Sequence, residues 1–195
     1  MVSKPSMLLY LHGFNSSPMS HKAGVMREYC QQQRPDIKIE IPQLPSFPKQ
    51  TAEFLGDFVH RHQNDYNIGL VGSSLGGYLS TWLHNQYGFR AVLINPAVKP
   101  FELLQDFLGP QTNPYTLQNY FLEDVHIQEL QSLDVESLFY PDRFWLLQQM
   151  GDEVLDYREA VAKYQHCRAT IEPDGDHSFV DFERYPQKII EFLQL

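Results

Sequence analysis

The segment Gly72-Ser73-Ser74-Leu75-Gly76 sets a hydroxyl between two glycines, directly after the apolar run Ile68-Gly69-Leu70-Val71. A serine hydroxyl is a weak nucleophile. It needs a base to take its proton, and the base needs an acid to orient it. The chemistry open to such a set is acyl transfer through a covalent intermediate. A nucleophile on a sharp strand-to-helix turn requires small residues two positions to either side, or the helix collides with the strand. With Ser74 central, those positions are Gly72 and Gly76; with Ser73 central they are Val71 and Leu75. The register therefore selects Ser74, and Gly77 leaves further room for close packing. The motif alone also fits an ordinary glycine-rich turn, and its place after a strand is what argues against that. No Lys-Ser or Lys-Thr closes the glycine run, so a phosphate loop fits poorly.

Where such a turn carries the nucleophile, the acid and then the base follow it in chain order. Gly151-Asp152-Glu153 lies just beyond the apolar run 144–149, which puts Asp152 at the carboxyl end of a late strand. Glu153 and Asp156 are its rivals. Asp156 reads as a cap for the next helix and Glu153 as a loop carboxylate facing water. Asp174-Gly175-Asp176-His177-Ser178-Phe179 follows the run 167–171, and of eight histidines only His177 has both the chain order and a loop after the last strand. His60 and His62 sit two apart on a helix and face different ways. His21, His84, His126 and His166 read as helix-surface or helix-end residues. The loop His12-Gly13-Phe14-Asn15-Ser16-Ser17-Pro18 follows the first strand. Oxyanion donors are expected there and just after the nucleophile, as the backbone N–H groups of Phe14 and Leu75. Asn15 and Ser16 are candidate substrate contacts, and His12 reads as a structural hydrogen-bonding residue.

The elements that must position these groups are legible as alternation. Short runs rich in Val, Ile, Leu and aromatics occur at 7–11, 37–41, 68–71, 91–94, 144–147 and 167–171. Helical patterns lie between or after them at 20–33, 49–63, 75–87, 157–165 and 186–193. That is an α/β pattern with a mostly parallel sheet of about six strands and helices on both faces. One connection breaks the rhythm: about 50 residues separate the run ending near Ile94 from the next, far beyond an ordinary crossover. This apolar, aromatic-rich insertion, at about 100–140, is expected to be helical. It reads either as a cap over a pocket or as helices packed on the sheet edge.

The chain has 195 residues and suits one compact domain, 1–195. Apolar residues make up 43% and charged residues 20%, which argues against disorder. The net charge of -9 disfavours nucleic acid and strongly anionic membrane surfaces as partners. The first apolar run is too short for a signal core or a membrane span. Cys30 and Cys167 read as free thiols of a reducing compartment. A cytoplasmic protein, monomer or homodimer, without membrane insertion, metal or cofactor is the expectation.

Taken together, these segments resemble the YqiA-like family of small bacterial esterases in the α/β-hydrolase superfamily. The resemblance runs over nearly the whole chain. Its carriers are the oxyanion loop with the strand before it, the Ser74 motif with Gly77, Leu93-Ile94-Asn95-Pro96-Ala97-Val98, the Asp152 loop through Tyr157, and Gly175-Asp176-His177-Ser178-Phe179. It implies a compact α/β-hydrolase fold, a Ser74, Asp152 and His177 triad, hydrolysis of acyl esters or thioesters, and no cofactor. The His-Gly-Gly-Gly loop of many lipases is absent, and a truncated sheet without the leading hairpin of longer relatives is expected.

Three activities remain in competition. The first is a serine esterase or thioesterase, possible acyl-CoA thioesters included, with the aromatic insertion favouring an apolar acyl group. The second is a non-catalytic small-molecule-binding module, since fold alone never guarantees activity. The third is a peptidase or amidase, ranked lower because no propeller or second domain is in evidence to select peptides.

Overall fold

The structure, a computed structural model, describes residues 4–195. Six parallel strands form the central sheet in the order β2-β1-β3-β4-β7-β8: β1 (Ser6–Leu11), β2 (Lys38–Glu40), β3 (Asn67–Ser73), β4 (Arg90–Ile94), β7 (Phe144–Gln149) and β8 (Arg168–Glu172). Every inner strand is apolar on both faces, and the period of two sorts its side chains. Met7, Leu9 and Leu11 of β1, Leu70 of β3, Leu93 of β4 and Leu146 of β7 enter one core layer. Leu8 and Tyr10, Val71, Val92 and Ile94, and Trp145 and Leu147 enter the other.

Helices cover both layers. α2 (Pro48–His62), α3 (Leu75–Tyr87) and α6 (Tyr157–Lys163) pack on the first through Leu55, Phe58, Val59, Tyr78, Leu83 and Ala160, joined by Tyr164 at the end of α6. α1 (His21–Gln33) and α7 (Pro186–Leu193) close the second through Ala23, Met26, Ile189, Ile190 and Leu193. Leaving β1, the chain crosses one face by α1 to reach β2; leaving β3, it crosses the other by α3 to reach β4. Adjacent strands whose connections depart to opposite faces leave a crevice at their carboxyl ends. The loop after β1 and Ser74 after β3 both lie at that crevice.

The insertion holds helices α4 (Pro100–Leu103) and α5 (Asp124–Gln131), and also an antiparallel hairpin of β5 (Gly109–Thr112) and β6 (Asn119–Leu122). The hairpin is invisible to pattern reading because Gly109-Pro110-Gln111-Thr112 has no strand character of its own. α5 packs on α2 and on α3, where the Tyr78 hydroxyl donates to the Leu130 carbonyl at 2.7 Å. His84 is also unlike its sequence reading: it is buried, its ring nitrogens 2.6 and 2.7 Å from the Phe89 and Phe139 carbonyls. No helix of the described residues is long and apolar enough to cross a membrane.

Two glycine substitutions separate close approach from simple flexibility. A Cβ at Gly76 would land on the Leu11 carbonyl oxygen, whereas one at Gly24 meets nothing within 4 Å. Gly76→Ala is expected to lose roughly 3 kcal/mol in urea unfolding. Gly24→Ala, inside α1, is expected to gain about 0.5–1 kcal/mol.

Candidate active site

Ser74 sits between β3 and α3 with φ 56° and ψ -120°, a conformation L residues rarely adopt. Its neighbours hold it there. The Ser74 N–H donates to the Ile94 carbonyl at 3.1 Å, and its own carbonyl accepts from Gly77 at 2.9 Å and Ala97 at 3.1 Å. A Cβ on Gly72 would collide with the Gly76 carbonyl, so strand and helix meet backbone to backbone here. The register argument for Ser74 over Ser73 thus has its physical counterpart. Ser73 is buried.

The three residues read from sequence come together across the chain. The Ser74 hydroxyl lies 3.1 Å from His177 Nε2. His177 Nδ1 lies 2.9 and 3.0 Å from the two oxygens of Asp152. With the proton on Nδ1 facing the carboxylate, Nε2 is left free to accept from Ser74. The Asp152 side chain is fully buried, and its Oδ1 accepts from the Val154 and Leu155 N–H groups at 2.9 and 2.8 Å. Those bonds offset the cost of burying its charge. Asp156 caps α6, accepting from the Arg158 N–H at 3.0 Å. Glu153 is exposed but not idle: it accepts from the His177 N–H at 2.9 Å, and that bond first of all holds its carboxyl below the usual range.

Two residues without a role in the sequence reading brace the His177 loop. Asn95 is fully buried with φ 40°, and its amide donates to the carbonyls of Asp176 at 2.9 Å and His177 at 3.2 Å. Its Oδ1 accepts from the Gln149 N–H at 2.9 Å. The Gln149 side chain accepts from Asp176 and Val180 N–H and donates to Glu172 and to the Val180 carbonyl. An Asn just after a strand was the available signal, but Asn is common in turns and names no partner. Burial pushes the Glu172 carboxyl up, yet hydrogen bonds from Tyr185, Gln149 and Arg184 outweigh it and hold it below the usual range.

At the end of β1, Gly13 passes so close that a Cβ there would sit 3.3 Å from Ser74 Cβ. The backbone N–H groups of Phe14 and Leu75 donate to none of the described residues. His12 is buried and bridges loops: Nδ1 lies 3.0 Å from its neighbour's carbonyl, and Nε2 accepts from the Leu44 N–H at 3.1 Å. Burial lowers its pKa. Asn15 and Ser16 line the cleft, but the Asn15 amide is spoken for. It donates to Gln111 at 3.3 Å and accepts from the Tyr120 hydroxyl at 2.7 Å, tying the oxyanion loop to the hairpin. The Ser16 carbonyl accepts from Asn113 of the same hairpin at 3.0 Å.

Two spaces meet at this loop. An open cleft of about 450 Å³ is lined by Ser74, His177, Phe14, Leu103, Phe107 and Lys22, among others. A smaller chamber of about 50 Å³ opens between the oxyanion loop, α2, α3 and α5, walled by Leu44, Leu79, Leu104, Leu122, Ile127 and Leu130. Insertion residues line both. Among the described residues, no group of three or more His, Cys, Asp or Glu could hold a metal ion. The arrangement as a whole can activate a hydroxyl and hold an oxyanion within reach of an apolar chamber.

Residues 7–194 match the family described as "Uncharacterised protein family (UPF0227)". A UPF0227 protein of Vibrio vulnificus is 32% identical over 98 residues, covering 48% of this chain and 52% of that protein. The chain thus spans about half the length of the curated relatives it matches. Alpha/beta hydrolase domain-containing protein 10 from mouse superposes with a TM-score of 0.72 at 15% identity, covering all of this chain and 92% of that one. A structure of the metagenome-derived lipolytic enzymes LipS and LipT gives 0.69 at 17% identity, covering 99% and 95%. The fold is therefore that of the α/β hydrolases, and the family match bears out the resemblance read from sequence.

The bracing makes two measurable demands. Asn95→Asp turns an oxygen toward two carbonyls in a buried site and should cost about 2–4 kcal/mol in urea unfolding. Glu172 is held ionised by folding, so its contribution is full above the unfolded carboxyl value near 4.3 and is lost as pH falls through its lower folded value. The melting-temperature gap between wild type and Glu172→Gln should therefore narrow below about pH 4.3.

Proposed function

The chain belongs to the UPF0227 family, and we propose that it is a serine hydrolase that cleaves acyl esters or thioesters through Ser74, His177 and Asp152. The observation that carries this reading is the unbroken relay from Ser74 to His177 at 3.1 Å and from His177 to Asp152 at 2.9 Å, opening on a cleft. As Ser74 Oγ attacks the acyl carbon, His177 Nε2 takes its proton. The tetrahedral oxygen draws on the unpartnered amides of Phe14 and Leu75. His177 then returns the proton to the departing oxygen or sulfur as its bond to the acyl carbon breaks. Water repeats the sequence on the acyl-enzyme and releases the acid. Asp152 keeps the imidazole in the working tautomer and stabilises its charged form.

Asn15 acts here by fixing the oxyanion loop against the hairpin, and Ser16 borders the substrate space. The insertion serves as a cap over the cleft. The smaller chamber takes the acyl group, because Phe14 and Leu75 line it and its walls are more apolar than polar. Its volume of about 50 Å³, small beside the 450 Å³ of the cleft, suits a short acyl chain.

Ser74→Ala should lower ester hydrolysis by about 10⁴-fold or more and abolish labelling by a fluorophosphonate, and Asp152→Asn should lower it by about 10²–10⁴-fold. Equal rates in wild type and Ser74→Ala would overturn the reading. In a series of straight-chain acyl esters the optimum should fall at about two to four carbons. Ile127→Ala, which enlarges the chamber, should move that optimum to longer chains.

A further inference from the structure

We infer that Lys22 selects substrates whose leaving group carries an acid, a carboxylate or a phosphate, and this rests on the hydrolase reading of Ser74. The argument begins with charge. The chain holds 24 acidic residues and a net charge of -9, yet no Asp or Glu lines the cleft at Ser74. Of its lining residues, Lys22 is the only Lys or Arg. His21, beside it, is taken up by Glu183 at 2.8 Å. Clefts lined by one sign of charge concentrate the opposite sign.

The second argument is the state of the ammonium. Lys22 lies half-buried in the first turn of α1, where the helix dipole disfavours a cation. It makes no ion pair with any described carboxylate. Its one hydrogen bond goes to the Ser178 carbonyl, at 2.8 Å. An ammonium has three donors, so two are left for a ligand. Burial lowers its pKa to about 8, against the opposing pull of the Asp176 and Asp152 charges. A cation kept in such a place, short of partners and on the wall of a cleft, is complementary to an anion.

The third argument decides which half of the substrate bears the charge. His177 must hand its proton to the leaving atom, so the leaving group occupies the side of Ser74 that His177 faces. His177 lines the open cleft and not the smaller chamber. Lys22 is anchored on Ser178, the residue next to His177. The ammonium and the proton donor therefore share one wall, and the anionic group belongs to the alcohol or thiol.

The test uses the full chain and butanoyl esters of four alcohols: glycolate and 2-hydroxyethyl phosphate as anions, ethylene glycol as neutral, choline as cation. Acid release is followed at pH 7 in a pH-stat. Wild type should prefer the anionic esters in kcat/KM by about 10-fold or more over the neutral one, chiefly through KM, with choline lowest. Lys22→Met should collapse that ratio toward one, and Lys22→Arg should keep most of it. If the neutral ester is cleaved in a Ser74-dependent way but the ratio does not change in Lys22→Met, whether both rates fall together or neither does, the inference is overturned and the hydrolase reading stands. Cleavage of none of the four overturns both. A preference for only one of the two anions identifies the acid that Lys22 reads.

Discussion

The constraint on which the rest of this structure depends is the backbone contact between β3, α3 and the end of β1 around Ser74. Gly72 faces the Gly76 carbonyl, Gly76 faces the Leu11 carbonyl, and Gly13 approaches Ser74 itself. Three segments thus meet at points where the glycines leave no room for a Cβ of their own. Holding Ser74 at a positive φ costs of order 1–3 kcal/mol. The surrounding hydrogen bonds to Ile94, Gly77 and Ala97, and the core layers on both faces of the sheet, are what make that cost sustainable. The return is geometric. The hydroxyl is held 3.1 Å from His177 Nε2, and Phe14 and Leu75 line the same cleft.

From that point outward, the site is held by polar bridges rather than by apolar packing. Asn95 and Gln149 clamp the His177 loop from below with buried amide bonds. His12 ties the loop after β1 to Leu44, while Asn15 and Asn113 tie it to the hairpin of the insertion. Edge-to-face contact of Phe14 with Phe107, at 5.8 Å, adds an apolar link between loop and insertion. Satisfied buried amides of this kind fix a unique geometry, because any displacement leaves donors unpaired in a medium where that is expensive. The insertion is therefore part of the site's framework and not an appendage.

Local pattern alone carries the strand–helix alternation, the candidacy of Ser74 over Ser73, and the chain order of the candidates Ser74, Asp152 and His177. Each of these is a local property: a period of two or of 3.6, small residues at fixed offsets, a polar loop after an apolar run. It placed Asp156 as a cap for the same reason. The insertion's hairpin escaped because its strands carry no period, and His84 was misjudged because a lone histidine on a helix does not announce what it faces. Only the tertiary structure decided which residues meet. Asn95 reaches His177 across 82 positions, Tyr120 reaches Asn15 across 105, and Lys22 reaches Ser178 across 156. Such pairs leave no spacing to read, because the sheet order and the crossovers, not the chain, make them neighbours. The opening motif thus names a candidate nucleophile. The cleft around it, lined by Lys22 and adjoined by a small, more apolar than polar chamber, exists only once the strands have closed.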